Sequence, residues 1–185
     1  SINVHFVGLV NVPGVHMIHP FSTIITGLIQ SGGVNQNGSL RKIKIIRNKK
    51  IIDTIDIYDY IINGKSLSDV RLIDQDIVYI PPRISKIPIT GEVLRQGYYE
   101  ILENENVNDI ITLAGRLNHD YAANVLIFNN KVEKNKGYLT NTKKFSEVRI
   151  SQGDSIHVLS APSFDNHVVI EGQVKNPGKY PFHQD

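Results

Sequence analysis

The sequence predicts an α+β fold made of repeated units, each a small mixed sheet with one packed helix. Three observations carry this. The pattern Gly-x-Val-x-x-x-Gly occurs from Gly8 to Gly14, from Gly91 to Gly97 and from Gly172 to Gly178, with Val10, Val93 and Val174 inside it. Its spacing is nearly constant, 83 residues from Gly8 to Gly91 and 81 from Gly91 to Gly172. The first two copies also stay in register further on: Ile18 falls on Ile101, Ile24 on Val107 and Gly32 on Gly115. One such match would mean little, but three at this spacing mark an internal repeat.

Each unit opens as a hairpin. The alternating apolar residues Val4 and Phe6, Ile87 and Ile89, Val168 and Ile170 predict a half-buried strand, which the first glycine ends or bulges. Asn11-Val12-Pro13-Gly14 and Lys175-Asn176-Pro177-Gly178 place Pro-Gly where a type II turn wants it; Arg95-Gln96-Gly97 keeps only the glycine. Return strands follow at 15–18 and 98–102.

A short helix comes next in both complete copies. Ser22 is the expected N-cap and Gly32 or Gly33 the stop of the first; Asn106 or Asn108 and Gly115 do the same for the second. The pairs Ile24 and Leu28, Ile25 and Ile29, Val107 and Ile111, Ile110 and Ala114 give each helix an apolar face. β-branched strands are expected at 43–46 and 125–128, a further strand-like stretch at 51–57, and closing strands after the turns of 72–81 and 150–159.

Pro81-Pro82-Arg83 and Ala161-Pro162-Ser163 punctuate the chain, so the expected organisation is 1–83, 84–163, and 164–185 as the opening hairpin of an incomplete third unit. Units this small need packing between them. A lone hairpin is marginal in water and offers a strand edge. The last segment is therefore expected to borrow a partner, and the native polypeptide to continue into a third unit or a membrane segment.

Composition bounds the function. Hydrophobic residues make up 41% of the 185 residues, enough to bury cores. With no Cys, disulfide scaffolds, thiolate metal sites and Cys nucleophiles are excluded. The 20 Lys and Arg nearly balance 18 Asp and Glu, and a net charge of +2 is too weak for a nucleic-acid binder. No run of 18 apolar residues occurs. Ser1-Ile2-Asn3-Val4-His5 has neither the charged nor the apolar region of a signal peptide, so the sequence reads as a mature or excised segment.

Candidate chemistry is sparse. His5, His16 and His19 flank the first hairpin, with His16 and His19 directed to opposite faces, so solvent-exposed histidines are expected rather than a metal site. His157 alternates with Ile156 and Val158 and should face away from the core. Asp74, Asp76 and Asp154 precede closing strands, where a carboxylate bonds its own turn; Asp53, Asp56 and Asp59 read as a solvated face. Tyr98 and Tyr99 beside Arg95, and Tyr180 with Phe182, could stack on sugar rings, although the simpler expectation is one packed and one exposed aromatic per pair. The candidate glycan or interface contacts are therefore Arg95, Tyr98, Tyr99 and Tyr180, and the structural turn glycines Gly8, Gly14, Gly91, Gly97, Gly172 and Gly178. No nucleophile, acid–base pair or phosphate loop appears, so neither catalysis nor a cofactor is expected.

These motifs together resemble a known family. The Gly8-x-Val10-x-x-Pro13-Gly14 element after a strand, a helix ending Ser31-Gly32-Gly33, a strand ending in Arg47, and the closing Leu72-x-x-x-Asp76-x-Val78-x-Ile80-Pro81 resemble the SLBB domain, the soluble ligand-binding β-grasp. The resemblance spans two full units and the opening of a third, so it implies tandem β-grasp domains, as in the Wza-like polysaccharide export proteins of the bacterial outer membrane. There are departures. The middle unit lacks the turn proline, its helix ends Ala114-Gly115-Arg116, and Phe128 or Asn129 stands where the first unit has Arg47. No segment like a polysaccharide export domain, lipidated Cys or terminal amphipathic helix is seen, as in an excised middle portion.

The resemblance implies a non-enzymatic scaffold on the periplasmic side of the outer membrane, making ring contacts around a glycan passage. The implied partners are further copies of itself in a homo-oligomeric ring, a capsular or exported polysaccharide and an inner-membrane polysaccharide co-polymerase, with no nucleic acid and no membrane contact by this segment. The alternative is a glycan- or small-molecule-binding SLBB module outside export.

Overall fold

The computed structural model describes residues 1–67, 70–117, 124–128, 137–141, 144–159, 167–170, 172 and 178–181. The first half runs β1 (Ile2–Gly8), β2 (Gly14–Ile18), α1 (Ile24–Gln30), β3 (Ile43–Arg47), β4 (Lys50–Ile55), α2 (Ile57–Ile61) and β5 (Ile77–Ile80). The second runs β6 (Lys86–Gly91), β7 (Gly97–Glu100), α3 (Val107–Leu113), β8 (Asn124–Phe128), β9 (Gly137–Asn141) and β10 (Ser155–Val158), followed by β11 (His167–Ile170) and β12 (Gly178–Pro181).

The architecture is α+β. The first sheet has the order β2-β1-β5-β3-β4 and the second the order β7-β6-β10-β8-β9, so the two halves share one topology. In each, the opening and closing strands pair in parallel at the centre and the other pairs are antiparallel. Register repeats too: Phe6 faces Gly14, Ile89 faces Gly97 and Ile170 faces Gly178 in the three opening hairpins. The third hairpin is a two-stranded sheet of its own.

Strand alternation builds the cores. Val4, Phe6, Ile43, Ile45, Val78 and Ile80 point inward from the first sheet and meet Ile24 and Leu28 of α1. Ile87, Ile89, Ile127, Ile156 and Val158 do the same against Val107, Ile110 and Ile111 of α3. Burying each such side chain stabilises by about 1.5–3 kcal/mol relative to exposure.

The repeated glycines divide into two physical types. Gly8 and Gly91 both sit at φ +85°, and a Cβ there would overlap the carbonyl oxygen of Ile80 or Val158 on the neighbouring parallel strand. Close strand approach and a left-handed backbone together demand glycine. Gly14, at φ +135°, has open space around it. Gly97, at φ +157°, is nearly extended.

The connection after Gly8 is tied to the end of α1 as well as carrying Pro13-Gly14. Its donors reach outward: the Asn11 N–H goes to the Gly33 carbonyl at 3.0 Å and the Val12 N–H to the Ser31 carbonyl at 2.9 Å. Leu94 to Arg116 at 3.1 Å and Arg95 to Ala114 at 2.9 Å repeat the pair. Each loop thus satisfies carbonyls beyond the end of its own helix, which a self-contained turn would leave unused. Pro177 and Val174 lie outside the described residues.

Other local expectations shift. Thr23, not Ser22, caps α1, in a reciprocal capping box with Thr26; Asn106 and Asp109 form the same box on α3. The strand expected at 51–57 ends at Ile55, because the Asp56 side chain accepts the Tyr58 N–H at 2.9 Å and starts α2. Asp56 is consequently not part of a solvated face. Asn48 and Lys49, at φ 50° and 63°, make the tight β3–β4 connection.

Candidate functional site at the junction of the two sheets

The polar interior is concentrated where the halves meet. Glu100, at the end of β7, is only 3% exposed. Its carboxylate accepts from Ser39 Oγ at 2.5 Å and from the Leu40 N–H at 2.8 Å. Its own N–H donates to the Tyr58 hydroxyl at 3.0 Å, and its carbonyl accepts from Arg41 Nη1 at 3.1 Å.

Arg41 is the hub. Nε donates to Asp56 Oδ2 at 2.9 Å, and Nη2 pairs with Glu105 Oε1 at 2.8 Å. Nη1 reaches Glu105 Oε2 at 2.9 Å, so the guanidinium grips that carboxylate with both ends of its fork. The guanidinium also lies 5.1 Å over the Tyr58 ring. Burial alone would lower the Arg41 pKa, but the bonds and charges of Glu105 and Asp56 hold it above its ordinary value. Burial pushes the Tyr58 phenol up. Tyr58 belongs to α2 of the first half, yet its ring packs into the hydrophobic core of the second. Leu40 touches both cores.

Beside this junction lies a cleft of about 340 Å³, lined by Tyr58, Ile61 and Ile62 of the α2 region and by Arg95, Gln96, Gly97, Tyr98, Tyr99 and Leu113 of the second half. The second hairpin therefore brings Arg95, Tyr98 and Tyr99 together against the first half. Tyr99 is half-buried; its hydroxyl donates to the Arg95 carbonyl at 2.7 Å, and its ring meets Tyr58 edge-on at 6.4 Å. Tyr98 is 69% exposed, with Lys86 Nζ 5.1 Å from its ring centroid. The exposed Arg95 guanidinium has one long contact, Nη2 to the Leu113 carbonyl at 3.5 Å. Tyr180 lies in β12, away from this group in the chain, and its side chain is outside the described residues, as is Phe182.

The remaining polar candidates serve the fold. Asp76 accepts the Ile73 N–H at 2.9 Å and Asp154 the Ser151 N–H at 2.8 Å, each closing the turn before its strand. Asp76 also takes Arg47 in a two-pronged pair, both bonds 2.8 Å. In the second sheet, strand pairing aligns Ile127 with Ile45 and thus Asn129, outside the described residues, with Arg47. The histidines have separate partners: His5 with Gln75, His16 with the Val12 carbonyl, His19 with the Phe21 N–H and His157 with Thr90. Among the described residues no three metal-ligating side chains converge.

Comparison with known proteins gives a family match in the first half. Residues 3–56 match the SLBB domain. Two curated relatives, each a Polysialic acid transport protein KpsD of Escherichia coli, are 27% identical to the chain over 104 residues. That stretch is 56% of this chain and 18% of each relative, so the chain spans less than a fifth of their length. The SLBB match covers β1 to β4, the segment that supplies Arg41, Asp56 and the loop after Gly8. No helix among the described residues is long and apolar enough to cross a membrane.

Sequence reasoning nominates Arg95, Tyr98 and Tyr99, which the fold brings together, and does not anticipate the junction. Ser39, Arg41, Glu100 and Glu105 are not repeated between the copies, so a search for periodicity passes over them. The signal that could have found them is an acidic Glu100 inside an otherwise apolar strand pattern, which demands a partner once buried.

Proposed function

We propose that this chain is a non-enzymatic scaffold segment of a polysaccharide export protein, made of two tandem SLBB units bounded near residues 83 and 163, with a third opening at 164. It stands on the periplasmic side of the bacterial outer membrane, in a Wza-like arrangement. There it contributes to the wall of a homo-oligomeric ring around a glycan passage and faces an inner-membrane co-polymerase. The similarity to a polysialic acid transport protein supports the export role. The observation that carries the scaffold role is the buried Arg41–Asp56–Glu105–Glu100 junction, which fixes one unit against the next as a wall element requires.

The test is deletion of residues 1–163 from the natural gene in its host. Loss of surface polysaccharide with retained synthesis is expected. Undiminished surface polysaccharide would overturn the reading.

A further inference from the structure

We infer that the cleft between α2 and the second hairpin is a binding site for an acidic sugar residue of a passing polysaccharide; this rests on the export reading and adds a ligand class and its contacts. The floor is Tyr58 and Tyr99, held edge-to-face and pinned by their hydroxyls to the Glu100 N–H and the Arg95 carbonyl. It is therefore rigid before any ligand arrives, and little ordering cost remains to be met on binding.

The rim is different. Tyr98 and Ile61 are 69% and 58% exposed, an aromatic face from the second hairpin and an aliphatic edge from α2, both open to solvent. A sugar ring presents C–H groups on one face and polar groups at its edge, which suits an exposed aromatic plane beside hydrogen-bonding side chains.

Charge selects the sugar. Among the described residues, the ionisable group other than tyrosine that lines the cleft is Arg95, and Lys86 stands against Tyr98. Among the described residues no carboxylate lines the cleft. Of the acidic residues nearby, Glu100, Glu105 and Asp56 are turned into the junction and bonded to Arg41, Ser39 and Leu40, and Asp59 of α2 is taken by Asn63 and Lys65. The exposed guanidinium of Arg95, with its single 3.5 Å contact to the Leu113 carbonyl, can take a carboxylate through a pair of parallel N–H donors. The cleft volume of about 340 Å³ is at the lower end for small-ligand sites, enough for one or two sugar rings of a chain that runs past.

The cation and the exposed ring come from the second hairpin. The hairpin residues matching Arg95 and Tyr98 in the first half are Val12 and Val15, which carry neither the cation nor the ring.

The experiment titrates the 185-residue chain with a sialic acid hexasaccharide and, separately, with maltohexaose, following backbone amide shifts. The acidic oligosaccharide is expected to shift the amides of 95–99 and 58–62, and the neutral one to bind at least about tenfold more weakly. Tyr98→Ala and Arg95→Gln, both at exposed positions, should each weaken acidic binding by about tenfold or more, as loss of a charge-assisted contact does. Absence of binding, equal binding of both sugars, or binding unchanged by these substitutions would overturn the site. Such a failure is distinguishable from failure of the export reading, which is decided by surface polysaccharide after deletion of the segment.

Discussion

The third residue after the hairpin glycine is Met17 in the first half and Glu100 in the second. Both face equivalent partners across the strand pair, Asn3 and Lys86. Met17 is 70% exposed, whereas Glu100 is buried under Ser39, Leu40 and Tyr58 of the preceding half. One topology, built twice, therefore presents the same edge in two environments. The sheets come from what the copies share, and the junction comes from what they do not. In the third copy the corresponding residue is Pro181, and the sequence position matching Arg41 in the second half is Ala123, outside the described residues. Among the described residues the Arg41–Glu100 network occurs once.

The largest effect should follow from breaking that joint. Arg41→Ala strands Asp56 and Glu105 without their cation and is expected to cost about 3–5 kcal/mol in urea unfolding. A cost below about 1 kcal/mol would mean the junction is decorative. Next come the two parallel-strand glycines, which sharpen the equivalence of the halves. Gly8→Ala and Gly91→Ala meet the same carbonyl clash at the same φ, so each should cost about 1–3 kcal/mol and by similar amounts. Clearly unequal melting shifts would show that the copies are not alike at their centres.

Arg47→Ala tests a difference between the halves. Asp76 is buried beneath Arg47, and losing its partner should cost about 1–3 kcal/mol, seen as faster amide exchange in β3 and β5 but not in β8 and β10. The smallest effect concerns α2 of the first half. Asp59 accepts from Asn63 and Lys65, and these bonds hold its pKa below the ordinary carboxylate value. A lowered folded-state pKa gives stability that is present above the unfolded value and lost as pH falls through the folded one. The stability difference between the natural chain and Asp59→Asn should be a few tenths of a kcal/mol near neutral pH and vanish on acidification. A difference that grows in acid would contradict this.

The α+β class, the repeat and its register were legible because glycine and β-branched positions recur at a fixed spacing and each has a local physical cause. Val4, Phe6, Ile87 and Ile89 are core residues by simple alternation. The docking of the hairpin loop on the end of α1 was not legible, because Asn11 and Val12 bond to carbonyls about 20 residues away, which no local rule anticipates. The α2 helix was missed because Ile51 to Ile57 has strand composition; a single Asp56 cap redirects it. Of the cleft, Arg95, Tyr98 and Tyr99 could be nominated from adjacency, but their opposite wall, Tyr58 to Ile62, comes from the other half, and only the fold brings it there.

The central claim is that Arg41 and Glu100 hold the two halves as one body. Because the chain has no Cys, spin labels can be placed cleanly at Lys50→Cys on β4 and Asn108→Cys on α3, both exposed positions. Their separation, measured by pulsed electron spin resonance, should be a single narrow distribution that broadens when Arg41→Ala is added. A broad distribution in the chain with Arg41 intact would contradict the account.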